Sequence, residues 1–141
     1  MRLPTRILMT LVACLTLFGA DAALAGSKER ALDNTLRTYA ATIRWGDIER
    51  AQEFLDPAWR QAHPLSALDL ARYRQVRVTG YNEQGPQPVG KNEVRQVVEI
   101  GLANVNTQVA RSIIDRQVWR WDEKAKRWWL TSGLPDITRH D

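Results

Sequence analysis

The segment around Asp115 carries the residue types that general acid–base chemistry requires. Asp115 lies between Ile114 and Arg116, and Arg111 lies four residues earlier. Alternate residues share one face of a strand, so Arg111, Asp115 and Gln117 are predicted to point the same way. Burial would raise the pKa of the Asp115 carboxyl toward the value that suits a general base, and the guanidinium of Arg111 would bind an anionic substrate. The alternative is a structural ion pair between Arg111 and Asp115, so Asp115 is a catalytic candidate to which no role is assigned.

Six tryptophans are the most unusual feature of the composition. Trp119 and Trp121 share a strand face, and a hairpin over 122–126 predicts that they lie near Trp128 or Trp129. Such a cluster is either a platform on which a sugar ring, lipid or peptide stacks, or core filling. Strand alternation predicts that one of Trp128 and Trp129 points away from the core. The ligand-binding candidates are Arg111, Gln117, Trp119, Trp121 and Trp129.

The sequence does not indicate metal or cofactor chemistry. One Cys and two His are too few for a Cys/His metal cluster. The chain has no Gly-rich phosphate loop, no Gly-x-Ser-x-Gly nucleophile elbow and no His-Glu-x-x-His motif. His63 is predicted to lie in a surface connector and His140 is next to the last residue, so neither is assigned a role. We expect no metal and no cofactor.

The first 25 residues have the layout of a secretory signal peptide. Arg2 and Arg6 precede an apolar run over residues 7–20, and Ala23-Leu24-Ala25 is the small-x-small pattern of a cleavage site. The run is shorter than the ~20 residues that a membrane-spanning helix needs. We therefore expect cleavage after Ala25, a single mature domain over 26–141, and a periplasmic or secreted protein.

A second interpretation of the leader rests on Cys14. Leu11-Val12-Ala13-Cys14 fits the lipobox that precedes a lipidated Cys in bacterial lipoproteins. The residues after Cys14 stay apolar where an anchor would lead into a polar tether, which favours ordinary cleavage. Lipidation at Cys14 is therefore the alternative, and it would make the protein a membrane-anchored envelope lipoprotein.

The charge of the chain bears on its partners. The formal net charge of +4 is spread along the sequence, which is too weak and too even for a dedicated nucleic-acid binder. The expected partner is a small ligand or an envelope protein rather than nucleic acid, and a membrane only if Cys14 is lipidated.

Helical spacing predicts two N-terminal helices that position the later strands. A helix of about four turns starts from a candidate N-cap at Ser27. Its apolar stripe is Leu32, Leu36, Tyr39, Ala40 and Ile43. Trp45-Gly46-Asp47 predicts the end of this helix and the N-cap of the next.

Three signals follow the second helix. Asp56-Pro57 is predicted to end it, because the residue before Pro is pushed out of the α region. Residues 59–66 are predicted to be a connector. Ser66 and Asp69 are predicted to cap a short helical turn through Ala71.

Four strands are predicted from β-branched and aromatic enrichment. They are Tyr73–Tyr81, Glu93–Val105, Gln108–Trp121 and Arg127–Thr131. Short turn-rich links make them an antiparallel meander. The second strand alternates apolar and polar residues, whereas the third is mixed in both phases. The third strand is therefore either bulged, so that it exchanges faces, or has an inner face that lines a polar cavity. The fold class is α+β, with N-terminal helices packed on a curved four-stranded antiparallel sheet.

This order of elements resembles the nuclear transport factor two-like superfamily, a cone-shaped α+β roll. The resemblance covers Lys28 to Ile137, and its local carriers are Ile43-Arg44-Trp45-Gly46-Asp47, Leu55-Asp56-Pro57 and Arg127-Trp128-Trp129-Leu130-Thr131-Ser132-Gly133-Leu134-Pro135-Asp136. The last stretch looks like the C-terminal signature of small bacterial envelope proteins of this superfamily.

The resemblance implies a shape that serves several activities. The superfamily includes isomerases, cyclases and dehydratases as well as non-catalytic binding or assembly modules, so fold alone does not select a function. We expect a non-enzymatic bacterial-envelope module that uses the sheet concavity or an exposed Trp edge. Relatives often pair through the outer sheet face, which implies a homodimer. The alternative is an isomerase or dehydratase with Asp115 as base and Arg111 as anion clamp.

Overall fold

The computed structural model describes the backbone of residues 5–139 and the side chains of residues 21–139. The chain is α+β, with helices packed on a curled antiparallel sheet that forms a half-barrel, which confirms the predicted fold class. The helices are α1 (Thr5–Arg44), α2 (Ile48–Ala51), α3 (Pro57–Ala62) and α4 (Ala67–Arg74), with a 3-10 turn at Gln52–Phe54. The strands are β1 (Val76–Glu83), β2 (Gln87–Pro88), β3 (Glu93–Asn104), β4 (Ala110–Asp122) and β5 (Arg127–Leu130).

Helix α1 carries the predicted apolar stripe but does not begin at Ser27. The helix is continuous from Thr5, because Gly19 and Gly26 each weaken a helix by only about 1 kcal/mol and no Pro interrupts the segment. The expectation of an N-cap at Ser27 was therefore wrong. All five predicted apolar residues are buried against the sheet: Leu32, Leu36, Tyr39, Ala40 and Ile43. The side chain of Cys14 and the whole of His140 lie outside the described residues.

The corner after α1 forms as its residues predict. Gly46 has φ +72°, a left-handed conformation that suits glycine at a helix end. The Oδ1 of Asp47 then accepts a hydrogen bond from the amide of Arg50 at 3.1 Å and caps α2.

Asp56-Pro57 begins a helix, and the prediction of a connector over residues 59–66 was wrong for its first part. The Oδ1 of Asp56 accepts from the amide of Ala58 at 3.3 Å, so Asp56 is the N-cap of α3. Proline suits the first helical position, because its missing amide proton would have no partner there. Trp59 on α3 stacks on His63 with ring centroids 4.2 Å apart.

The predicted capping box at Ser66 and Asp69 is present, but α4 extends beyond Ala71 to Arg74. Helix α4 therefore includes Tyr73, which had been predicted to open the first strand. The Tyr73 ring packs against the core, and its hydroxyl donates to the carbonyl of Pro135 at 2.7 Å. These tertiary contacts extend the helix past the capped first turn.

The sheet is the predicted meander, in the order β1-β3-β4-β5, with β2 also paired to β3. Strand β3 alternates as predicted, because its even-numbered residues from Val94 to Leu102 are all buried. Strand β4 does not exchange faces. Its odd-numbered residues from Ile113 to Trp119 are all buried, and its pairing with β3 runs without a register shift. The bulge lies in β1 instead, between Val78 and Gly80.

Gly133 provides a test of how tightly the C-terminal segment packs on α3. It has φ +85°, and a Cβ there would lie 2.7 Å from the ring of Trp59, whereas a Cβ at Gly46 would meet nothing within 4 Å. Gly46→Ala is expected to lose about 1 kcal/mol of unfolding free energy through conformational strain alone. Gly133→Ala is expected to lose a further 1–3 kcal/mol, roughly, through overpacking. Urea unfolding measures the unfolding free energy of both variants. An equal loss in Gly46→Ala and Gly133→Ala would show that the ring of Trp59 moves aside without cost.

Candidate functional site

The inner face of β4 brings the predicted site residues onto one wall of the half-barrel. Asp115 is 8% exposed and Gln117 is 1% exposed, while Trp119 has no exposed surface. Arg111 is half-buried at the end of the same row. The row is polar, but the described side chains of the helices and sheet cover it.

Gln117 is the centre of a buried hydrogen-bond network. Its Nε2 donates to the Oδ2 of Asp115 and to the hydroxyl of Tyr81, both at 2.9 Å. Its Oε1 accepts from the Nε1 of Trp119 at 3.1 Å and from the Nε2 of Gln96 at 3.4 Å. The two donors and two acceptor positions of this amide are therefore all used, as a buried amide requires.

Asp115 has the electrostatic character of a buried acid. Burial raises the pKa of its carboxyl to about 6, while the hydrogen bond from Gln117 and the charge of Arg139 act in the opposite direction. The guanidinium of Arg111 does not pair with it. Instead, Arg111 donates from Nη1 to the carbonyl of Arg139 at 2.8 Å and from Nη2 to the carbonyl of Ile137. The structure thus separates the predicted acid and the predicted anion clamp.

The charge of Asp115 acts on three buried or half-buried tyrosines. Burial raises the pKa of Tyr39, Tyr73 and Tyr81, and the charge of Asp115 adds to the increase for each of them. Among the described side chains, the hydroxyl of Tyr39 is buried without a hydrogen-bond partner.

The space beside this wall is very small. A cavity of about 20 Å³ lies between the helix corner, β1, β3 and the C-terminal segment, with Tyr73, Pro135 and Ile137 in its lining. This volume is close to the minimum that one water molecule needs. This cavity therefore has no room for a substrate.

The open space lies at one end of the sheet, in a cleft of about 460 Å³ that we call the rim cleft. Its lining includes two arginines, two neutral polar residues and two apolar residues: Arg72, Arg111, Asn104, Thr107, Val109 and Ile137. Arg72 was not a predicted site residue. It lies in the last turn of α4, which extends past Ala71. The carbonyl of Gln75, the residue after α4, accepts from the amide of Val105 in the β3–β4 hairpin at 2.9 Å.

The tryptophan candidates separate into core and surface. Trp121 and Trp128 are cross-strand neighbours with ring centroids 5.5 Å apart, as predicted. Lys28 Nζ lies 5.7 and 5.6 Å from these two rings. Trp119 is fully buried, with its ring edge-to-face with Tyr39 at 5.1 Å. Trp119 therefore offers no surface on which a ligand could stack.

Trp129 points to the outer face, whereas Trp128 is buried, so the prediction that one of the pair leaves the core is confirmed. The guanidinium of Arg127 lies 3.8 Å from the Trp129 ring centroid, and Trp129 Nε1 donates to Asp122 Oδ2 at 3.2 Å. The most exposed aromatic is Trp45, at 88%. It lines a second open cleft, of about 410 Å³, with Val78 and Gly80. Trp45 was not among the predicted site residues. It lies two residues past Ile43 and off the apolar stripe, a spacing that indicates an exposed ring.

Within the described residues, no group of three or more His, Cys, Asp or Glu side chains is placed to hold a metal ion. No helix in the described part of the chain combines the length and the apolar character needed to span a membrane. Comparison of the chain with protein-family models and with curated proteins finds no match to either.

The raised pKa of Asp115 predicts the sign of a pH effect on stability. Between about pH 4 and 6 the carboxyl of Asp115 is protonated in the native state and ionised in the unfolded chain. The free energy of unfolding therefore decreases as the pH rises through this range. Asp115→Asn is expected to remove this loss, which amounts to about 3 kcal/mol at most. Urea unfolding of wild type and variant at pH 4.5 and 7.5 measures it as a difference between the two proteins.

Asp69→Asn is the matched control. The hydrogen bonds from Ser66 lower the pKa of Asp69, so its contribution to stability is lost as pH falls, opposite in sign to that of Asp115. The difference in unfolding free energy between wild type and Asp115→Asn is expected to change between pH 4.5 and 7.5. An equal difference at both pH values would contradict the assignment of Asp115 as a buried carboxyl with a raised pKa.

Proposed function

We propose that this protein is an exported, non-enzymatic binding module of the bacterial envelope that takes small ligands at the rim of its half-barrel. The observation that supports this best is the contrast between the filled interior and the open rim. Tyr39, Gln117 and Trp119 occupy the space in which a substrate would have to sit, whereas the rim cleft offers about 460 Å³. Ligand pockets for small molecules typically have about 300–1,000 Å³.

The resemblance to the nuclear transport factor two-like superfamily is part of this proposal. A curled antiparallel sheet covered by N-terminal helices is compatible with the cone of that superfamily. The signal-peptide layout of residues 1–25 supports export, with cleavage after Ala25. A membrane-anchored form would require lipidation at Cys14.

Assembly with a second copy fits the outer face of the sheet. Val97, Ile114 and Val118 are half-buried there, and Arg116 is the cross-strand neighbour of Val97. The buried residues of α1 pack with the inward residues of β3 and β4, so the described part of α1 covers the opposite face. A homodimer through this face is the partner arrangement that we propose.

A second function, catalysis, is favoured by one specific observation. Asp115 is a buried carboxyl whose pKa is raised to about 6, and its charge acts on Tyr39, Tyr73 and Tyr81. This is the chemistry of a general base in an isomerase or dehydratase. It would require the C-terminal segment around Ile137 to move, since the cavity beside Tyr73 is only about 20 Å³.

Native mass spectrometry of the protein recovered from the envelope fraction tests the proposed function. We expect a chain that begins at Gly26 and keeps a small molecule bound, with the same ligand mass in Asp115→Asn. Ligand retention in the variant separates rim binding from binding at the acid. A chain that begins at an acylated Cys14 would replace the soluble form with the anchored one. A ligand that only the wild type chemically converts would overturn the binding-module proposal.

A further inference from the structure

The rim cleft has the charge of an anion site. Arg72 and Arg111 both line it, and no carboxylate belongs to its described lining. Arg72 lies 3.5 Å from Asp69, and the charges of Arg111 and Arg139 act on Asp136. Both carboxylates are already occupied by neighbours: Asp69 accepts from the backbone amide and hydroxyl of Ser66, and Asp136 accepts from Thr138. The cleft therefore presents the positive charge of Arg72 and Arg111.

Arg72 is the guanidinium most available to a ligand. Its side chain is 47% exposed, and its ion pair with Asp69, at 3.5 Å, contributes little at a surface. Arg111 differs, because two of its nitrogens donate to the carbonyls of Arg139 and Ile137. Arg111 therefore holds the C-terminal wall of the cleft in place and contributes its positive charge.

The opposite wall is fixed by Asn104. Its Oδ1 accepts from the amides of Asn106 and Thr107 at 2.9 and 3.0 Å, so the side chain is held in one orientation. Its Nδ2 is then the donor end of that amide. Val109, 63% exposed, and Ile137, 9% exposed, supply an apolar surface beside these polar groups.

We propose that the rim cleft binds a small amphipathic anion, with a carboxylate or phosphate head at Arg72 and Asn104 and a short apolar body against Val109 and Ile137. This inference rests on the proposed function and names its ligand class. Guanidinium and amide donors suit both head groups, because each presents several acceptor oxygens. The volume of about 460 Å³ fits a molecule of this size.

A pair of fluorescent probes tests the inference with the mature protein. Anilinonaphthalene sulfonate carries an anionic group and an aromatic body, and N-phenylnaphthylamine is its neutral counterpart. Arg72→Gln removes the charge at the cleft. Arg74→Gln is the matched control, since Arg74 lies on the same helix, is 73% exposed and pairs with Glu49 away from the cleft. Both positions are exposed, so neither change threatens the fold.

We expect Arg72→Gln to weaken binding of the anionic probe about tenfold, as loss of a charge-assisted hydrogen bond implies, and to leave the neutral probe unchanged. Arg74→Gln should match the wild type with both probes. Octanoate and octyl phosphate should displace the anionic probe while octanol does not, and their relative potency identifies the preferred head group. Equal binding of the anionic probe to both variants, or none by the wild type, would overturn the inference.

The failures of the two proposals are distinguishable. If native mass spectrometry shows a retained ligand that Arg72→Gln does not release, the protein is a binding module but the rim cleft is not its anion site. If the ligand is chemically converted by wild type but not by Asp115→Asn, the proposed function fails, whatever the probe titrations show.

Discussion

The amide of Gln117 is the interaction on which the rest of this structure depends. It links β4 to β1 through Tyr81 and to β3 through Gln96, and it also holds Asp115 and Trp119 on its own strand. A buried amide without partners would cost about 1–3 kcal/mol for each lost group, so the three strands are held in the register that satisfies all four bonds. The curl of the sheet thus places these polar groups within hydrogen-bond distance, and separating them would leave buried groups without partners.

The same wall explains why the interior is closed. Aromatic side chains from α1 and β4 fill it, with Tyr39 edge-to-face with both Phe54 and Trp119. The predicted mature chain contains no Cys, so packing of this kind is the source of its stability. Asp115 is placed within that packing, and its raised pKa follows from exclusion of water.

The C-terminal segment connects the closed interior to the open rim. Tyr73 donates to the carbonyl of Pro135, and Arg111 donates to the carbonyls of Ile137 and Arg139. These bonds hold the segment in a position where Ile137 packs in the core and also lines the rim cleft. One segment therefore closes the space in which catalysis would occur and builds the space in which we place the ligand.

Local patterns in the sequence determined the apolar face of α1, the caps at Asp47 and Ser66 and the alternation of β3, because each depends on residues a few positions apart. Asp56-Pro57 was predicted to end a helix, whereas it begins α3, since proline also suits the first helical position. Tertiary structure decided the inward phase of β4 and the partners of Arg111. Arg111 meets carbonyls 26 and 28 residues away, and Gln117 meets Tyr81 36 residues away. No local period encodes such contacts; they arise only when the curled sheet brings distant strands and the C-terminal segment to the same wall.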